Sequence, residues 1–394
     1  MPPRLSHSKS CDEKRPKCGH CTRHNVTCEW PSLTTRIYNP RQPKATALSR
    51  SKLSDGPRPA LPSPELGSVR VLELRLIHHW ITVTANTMSS AQLDSVHHMW
   101  SVSVPQLAFE HEPLLHTLLA IGAAHRAILV PQEANALRPV YHGYMDSAVR
   151  RHRPVTGTMD DTTCEAVCLN AILISLYTLF LRSEPSNEPY EPPLMWLSMA
   201  RGIRTVLKTV YHQLLRSISL LSPLLEAPPI IWDKDFISYK GPIRPFQYLL
   251  HYRRDEEQMD EETVQAYNES VAYLERFYIS LESGEPAFAL RKMFSGFPPV
   301  IPIRFQVLVA NKVPRALIIL AYLFALAKRV EDIWWLIGIP EREVRGINTL
   351  IPSEWKWAMV WPLDLVSQGP DKMLGQVEVP SKPATGESAV EALF

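Results

Sequence analysis

Apolar residues recur at intervals of three and four along most of the chain after residue 66, which is the spacing of one face of a helix. Three stripes carry the pattern. The first is Leu114, Leu118, Ile121 and His125, widened by Leu115, Leu119 and Ile128; the second is Trp196, Met199, Ile203, Val206 and Val210, opposite Arg201, Arg204 and Lys208; the third is Val264, Tyr267, Val271, Leu274, Tyr278 and Leu281. Clean strand alternation is scarce. The pattern predicts a mostly α protein with one large all-helical domain over residues 67–366.

Two segments are apolar on all sides and predict helices buried between other helices. One is AVCLNAILISLYTLFL, and the other is Ala316–Ala327, the longest uninterrupted apolar run. Twelve residues are too few to cross a bilayer, so we expect no membrane span. Cys164 and Cys168 lie at the start of the first segment, where we expect buried thiols.

The ends of the chain have a different composition. Residues 32–66 are rich in proline, serine and basic residues without apolar periodicity, which predicts a disordered, semi-extended linker. Residues 367–394 predict a disordered tail. No coiled-coil repeat follows residue 31, so the sequence leaves open whether the protein forms a homodimer.

Charge is unevenly distributed. The first 50 residues carry a net charge of +7, whereas the whole chain carries +2, so the remainder is −5. A basic head is what phosphate binding requires. A basic tail that serves nuclear import or solubility is the alternative.

Four cysteines near the start stand as C-x6-C-x2-C-x6-C, within residues 1–31: Cys11, Cys18, Cys21 and Cys28. A C-x2-C pair holds two thiolates on one turn, which suits two corners of a zinc tetrahedron, and the outer cysteines can supply the others. The spacing therefore predicts bound zinc.

The segment CDEKRPKCGHCTRHNVTCEW resembles the second part of the fungal binuclear zinc cluster, a six-cysteine DNA-binding module. Family spacing would place the first two cysteines near positions 1 and 4, where this chain has Met1 and Arg4. Either the gene model begins one exon late or the cluster is degenerate, and we expect the former.

The resemblance implies binding to double-stranded DNA at CGG-type triplets, with the residues just before Cys11 in the major groove. Lysine can donate to the O6 and N7 acceptors of guanine. Lys9 is the expected base contact, with His7 and Arg4 beside it. Phosphate contacts position a protein without specifying sequence. On this resemblance, the residues that contact phosphate or stay solvated are Lys14, Arg15, Lys17 and Arg23.

Parts of the body resemble the fungal-specific transcription factor region, in the branch that includes the sterol uptake regulators. The matching strings, in order, are ELRLIHHWITVTANTMS, PLLHTLLAIGAAHRA, WLSMARGIRTVL, PRALIILAYLFALAKRVEDIWWL and EWKWAMVWPLDL. The resemblance implies a helical regulatory domain that in some relatives binds a sterol, but it assigns no pocket residue.

Catalytic patterns are weak. HEPLLH offers His111, Glu112 and His116, but its histidines are five positions apart and would lie about 140° apart on a helix. Core or surface histidines are the better interpretation, and no enzyme activity is expected.

The sequence therefore predicts a nuclear, zinc-dependent transcription regulator of RNA polymerase II genes, acting with the transcription machinery on sterol uptake or secondary-metabolite genes. Two alternatives remain: a regulator-derived protein that no longer binds DNA and acts through protein contacts, and an unrelated helical enzyme or ligand carrier. Target genes, the direction of regulation, the ligand and the oligomeric state are not encoded in any pattern.

Overall fold

A computed structural model describes residues 64–155, 163–199, 219–231, 244–251 and 259–368, together with Arg23 and Ile203. The chain divides into two units, Met1–Leu61 and Pro62–Phe394. Arg23 is the described residue of the first unit, where it is helical and exposed. The described residues of the second unit form helices joined by turns and loops, with no strand among them, in agreement with the predicted mostly α fold.

Fourteen α-helices are bounded within the described residues, with short 3₁₀ and π segments between them. They are α1 Pro64–His79, α2 Asp94–His98, α3 Val104–Glu110, α4 Glu112–Leu129, α5 Ala134–Val155, α6 Cys164–Phe180, α7 Ser222–Glu226, α8 Tyr248–His251, α9 Glu261–Glu282, α10 Ala287–Val300, α11 Ile303–Ala310, α12 Pro314–Ala327, α13 Ile339–Leu350 and α14 Val360–Ser367. Residues 194–199 are also helical.

Local sequence explains several helix starts. Proline stands in the first turn of α3, α4, α12 and α13, where its missing N–H removes no helical hydrogen bond. Asp260 caps α9 by accepting a hydrogen bond from the backbone N–H of Thr263 over 2.7 Å. Gly338 precedes α13 with φ of 75°, a backbone conformation that residues other than glycine rarely adopt.

The N-terminal part of this unit is built around the hairpin of α4 and α5, which pack along each other, with α6 and α1 against α4. Helices α1 and α4 approach closely at Gly122, where a Cβ atom would lie 3.1 Å from the carbonyl oxygen of Leu76. A larger residue would push the two helices apart, so the small side of α4 fixes their spacing.

The C-terminal part surrounds α12, which contacts α9, α10, α11, α13 and α14. Every residue of Ala316–Ala327 is fully buried, which confirms the predicted core helix. Cys164 and Cys168 are buried free thiols, also as predicted.

Two stripe residues were assigned wrongly. Ile128 is 45% exposed and Val264 is 37% exposed, although both continue the apolar spacing of their helices. Each lies in an end turn, in α4 and α9 respectively, where the stripe extends beyond the helices that cover its middle. In the second stripe, Val206, Val210, Arg201, Arg204 and Lys208 lie outside the described residues.

The expectation that no segment could span a membrane needs a correction. Residues Cys164–Ser183 form a helical stretch that is long and apolar enough to cross a membrane, and 78% of its most apolar part is buried within the protein. Helices α10 and α11, which meet at an angle of 86°, are long and apolar enough to cross a membrane only when the two are counted together. Asn170, Ser175 and Thr178 interrupt the first segment, so counting uninterrupted apolar residues missed its length. A buried core helix passes the same test of composition.

Candidate functional site

The predicted zinc and DNA-binding residues fall almost wholly outside the described residues. Arg23 is the exception: it is helical and exposed, and its phosphate contact stays a prediction. The remaining calls stay predictions: Cys11, Cys18, Cys21 and Cys28 for zinc, and Lys9, His7, Arg4, Lys14, Arg15 and Lys17 for DNA. Four thiolates are a donor set that zinc prefers, so the residues present suit one tetrahedral zinc ion.

In the described ranges of the second unit, no group of three or more His, Cys, Asp or Glu side chains is arranged to hold a metal. The HEPLLH segment accords with this. Glu112 forms an ion pair with Arg151, and its carboxylate lies 3.9 Å from Nε2 of His116, whose ring packs on Tyr144. His111 precedes α4 as its N-terminal flanking residue.

A cavity lies between helices α6, α7 and α10. Met88 and Ser89, before α2, and Trp335, after α12, also line it. The space open to the centre of a water molecule is about 100 Å³. Its lining is mainly aliphatic and aromatic, as in sites for small apolar ligands. The described residues that line it are Met88, Ser89, Trp100, Ile172, Leu173, Ser175, Leu176, Leu179, Trp196, Ile203, Leu221, Leu224, Leu225, Ile231, Arg291, Lys292, Ser295, Gly296, Pro299 and Trp335.

Aromatic packing holds the wall of this cavity. Trp196 stacks on Phe294 of α10, with 5.3 Å between ring centroids and 22° between planes. Trp196 also packs on Phe324 of α12, at 5.7 Å. The wall is thereby fixed to the fully buried helix at the centre of the C-terminal part.

Glycine shapes another side of the cavity. A Cβ atom at Gly296 would collide with Cδ1 of Ile231 and lie 3.3 Å from the hydroxyl of Tyr273. Because Gly296 lacks a side chain, Ile231 can pack directly against α10. The loop that follows α7 is held close to the cavity in this way.

Lys292 and Arg291 are the charged side chains among the described residues that line the cavity. Lys292 is 4% exposed, and its Nζ donates hydrogen bonds to the carbonyl oxygens of Leu224, over 3.0 Å, and Ala227. Burial lowers the pKa of Lys292 to about 8. Arg291 donates to Asp332 and to the carbonyl of Val330.

No sequence pattern predicts this site, because its lining residues come from segments between Met88 and Trp335 that no motif connects. One weak signal was present at Lys292. It stands in α10 among residues that are small or apolar on the buried face, such as Ala289, Met293 and Gly296. A lysine at such a position is rarely fully buried in an ordinary core.

Comparison with known proteins identifies the chain's relatives. The fungal specific transcription factor domain matches residues 75–226. A Zn(2)-C6 fungal-type transcription factor of Aspergillus fumigatus, afumD, is 30% identical over 338 residues, which cover 80% of this chain and 84% of the relative.

The chain belongs to the Zn(2)-C6 fungal-type transcription factor family. A further member, from Gibberella zeae, is 26% identical and covers 92% of this chain and 87% of its own length. The sterol uptake control protein 2 of Candida albicans is 26% identical over 183 residues, which are 46% of this chain and 23% of that protein. This Zn(2)-C6 family member is therefore a transcription regulator, as the sequence predicted.

Proposed function

We propose that this regulator enters the nucleus, binds double-stranded DNA through an N-terminal zinc cluster that reads CGG-type triplets, and binds a small apolar ligand in the cavity of its helical domain. Sterol uptake genes and secondary-metabolite genes are the target classes we propose. Partners in this account are the transcription machinery and, where two half-sites are read, a second copy of the chain.

Support for DNA binding comes from the N-terminal head. Its four cysteines have family spacing, and the first 50 residues carry a net charge of +7 on a chain of +2. Each Lys or Arg that neutralises a phosphate releases counterions, which favours binding at low salt. Two relatives that match 80% and 92% of this chain are both named as Zn(2)-C6 transcription factors.

Support for ligand binding comes from the cavity, and this is the observation that carries the regulatory part of the proposal. The partly open cavity of about 100 Å³ beside α6, α7 and α10 has the mainly apolar lining that is typical of sites for small apolar ligands. The relatives named for sterol uptake control share less than half of this chain, so the class of ligand is argued from the cavity's own residues.

The DNA-binding part can be tested by completing the cysteine set. The variant M1C/R4C, produced behind an added start methionine, has the six-cysteine spacing of the family. We expect it to bind two zinc ions and to bind CGG-containing duplex with a steep salt dependence, whereas the unaltered chain binds weakly and with little sequence preference. The readouts are elemental analysis and duplex binding at several salt concentrations.

Lys9→Ala in the M1C/R4C background is the matched variant. Loss of a direct base contact should reduce discrimination between CGG and scrambled duplex by about 1–3 kcal/mol. Lys44→Ala, outside the zinc cluster, should leave discrimination unchanged. Failure of both the six-cysteine and the four-cysteine proteins to bind any duplex would support the alternative regulator that acts through protein contacts.

A further inference from the structure

Lys292 places a buried cation at the wall of an otherwise apolar cavity. Its Nζ uses two of its three N–H groups on the carbonyl oxygens of Leu224 and Ala227. Within the described part of the chain, no carboxylate lies within 4.0 Å of that nitrogen. Buried charges in proteins are normally paired with an opposite charge, so this ammonium group has capacity for a further acceptor.

A structural role alone accounts for only part of this arrangement. The two carbonyls lie at the C-terminal end of α7, where a cation interacts favourably with the helix dipole. A neutral donor could make the same two hydrogen bonds without the cost of burying a full charge. The lowered pKa of Lys292 records that cost, and at about 8 it still leaves the amine mostly protonated at neutral pH.

The neighbouring cation is already engaged. Arg291 donates to the carboxylate of Asp332 and, over 3.1 Å, to the carbonyl oxygen of Val330. Among the described residues that line the cavity, Lys292 is thus the positive group with capacity for a further acceptor. One cation matches a monoanion, whereas a phosphate dianion would need a second positive partner.

The remaining lining suits a hydrocarbon body. Leu173, Leu176 and Leu179 of α6 face the cavity together with Trp196 and Trp335. A molecule that is apolar along its length and anionic at one end satisfies both parts of the lining.

We propose that the ligand of this cavity is an amphipathic carboxylic acid whose carboxylate accepts a hydrogen bond from the Lys292 ammonium group. This proposal rests on the proposed function, because it specifies the chemistry of the apolar ligand assigned to the same cavity.

The test compares dodecanoate with 1-dodecanol, which has the same chain without the charge, on the full-length protein by isothermal titration calorimetry. We expect both to bind and dodecanoate to bind about tenfold more tightly or better, since a hydrogen bond to a charged group is worth that much. Lys292→Gln keeps a neutral donor for the carbonyls of Leu224 and Ala227. It should lose the preference for dodecanoate and keep its affinity for dodecanol. Lys328→Gln removes a positive charge outside the cavity lining and should behave as wild type.

A second measurement uses the wild-type protein alone and so does not depend on the folding of a variant. Dodecanoate labelled with ¹³C at its carboxyl group reports its own protonation by NMR. Burial in an apolar site without a cation would raise the carboxyl pKa above that of the free acid, whereas pairing with Lys292 should lower it.

The outcomes separate the two proposals. If dodecanol binds as tightly as dodecanoate, or if Lys292→Gln leaves the dodecanoate affinity unchanged, the carboxylate proposal is wrong and the apolar cavity site stands. If the bound carboxyl pKa rises, the proposal is also wrong. If neither probe binds, both the carboxylate proposal and the proposed ligand site are overturned.

Discussion

The imidazole ring of His125 stacks on the indole ring of Trp334, with 4.7 Å between ring centroids and 15° between their planes. The indole Nε1 of Trp334 also donates a hydrogen bond to Oγ1 of Thr87 over 2.9 Å. His125 and Thr87 lie within residues 75–226, which match the fungal specific transcription factor domain, whereas Trp334 lies beyond them. The core of the matched region is therefore completed by residues that follow it in the chain.

Trp334→Ala should destabilise the whole helical unit. The change removes the ring stacked on His125 and its contact with Phe180, at 5.3 Å between centroids. Loss of a buried aromatic side chain costs about 3–5 kcal/mol in the free energy of unfolding. Phe109→Ala, at a residue that is 64% exposed, should cost less than about 0.5 kcal/mol. Equal effects of the two substitutions in urea denaturation would contradict the assigned core.

Acidification should destabilise the protein through His125. Burial, with a smaller effect of neighbouring His79, lowers the pKa of His125 from 6.5 to about 4. Between these values the unfolded chain binds a proton that the folded protein does not, so the free energy of unfolding falls as pH falls from 6.5 to 4. The loss from His125 is about 3 kcal/mol.

The measurement is urea denaturation at several pH values, with His125→Gln as the comparison. Between pH 6.5 and 4, the free energy of unfolding of the variant should fall by about 3 kcal/mol less than that of the wild type. His79, His116 and His152, whose pKa values burial also lowers, are present in both proteins. Because the His79 ring lies 5.4 Å from that of His125, the difference reports His125 together with its coupling to His79. Parallel pH dependences in the two proteins would show that His125 does not titrate as described.

Two glycines offer a matched pair of substitutions at the cavity and on the surface. Gly296→Ala forces Ile231 away from α10 and should destabilise the protein by about 1–3 kcal/mol. Gly143→Ala meets no heavy atom within 4 Å, and should stabilise α5 by up to about 1 kcal/mol through its higher helix propensity. Thermal unfolding checks both. A neutral or stabilising effect of Gly296→Ala would mean that Ile231 does not pack against Gly296.

Zinc should be confined to the N-terminal head and limited to one tightly bound ion per chain. Cys11, Cys18, Cys21 and Cys28 supply four thiolates, which can complete one tetrahedral site. Chelation should leave the helix-dominated circular dichroism spectrum of the full chain nearly unchanged. Elemental analysis that finds two zinc ions in the unaltered chain, or loss of the helical spectrum on chelation, would contradict this assignment.

The sequence predicted the helices better than the cavity that lies between them. Ala316–Ala327 could be recognised as a core helix because apolar residues surround it on every side, and this requires no knowledge of its partners. Ile128 and Val264 were misassigned because a periodic stripe does not show where the neighbouring helices end. The cavity was not predictable, since it depends on how Trp196, Lys292 and Trp335 come together through tertiary packing.

The family of regulators was recognisable from cysteine spacing and from the order of short strings along the chain. Individual residue roles were harder to assign. Lys292 gives only a weak signal in sequence, because its charge becomes unusual only when α7 and α10 enclose it. Its role depends on burial, which a local pattern does not report.

The most direct test of the central claim is chromatin immunoprecipitation of the protein epitope-tagged at its own genomic locus, so that its N-terminal head carries the cysteines that the gene encodes. A DNA-binding regulator should be enriched at discrete promoter sites that share CGG triplets, and Lys9→Ala should reduce that enrichment. Nuclear protein with no site enriched above an untagged control would contradict the proposed DNA-binding function.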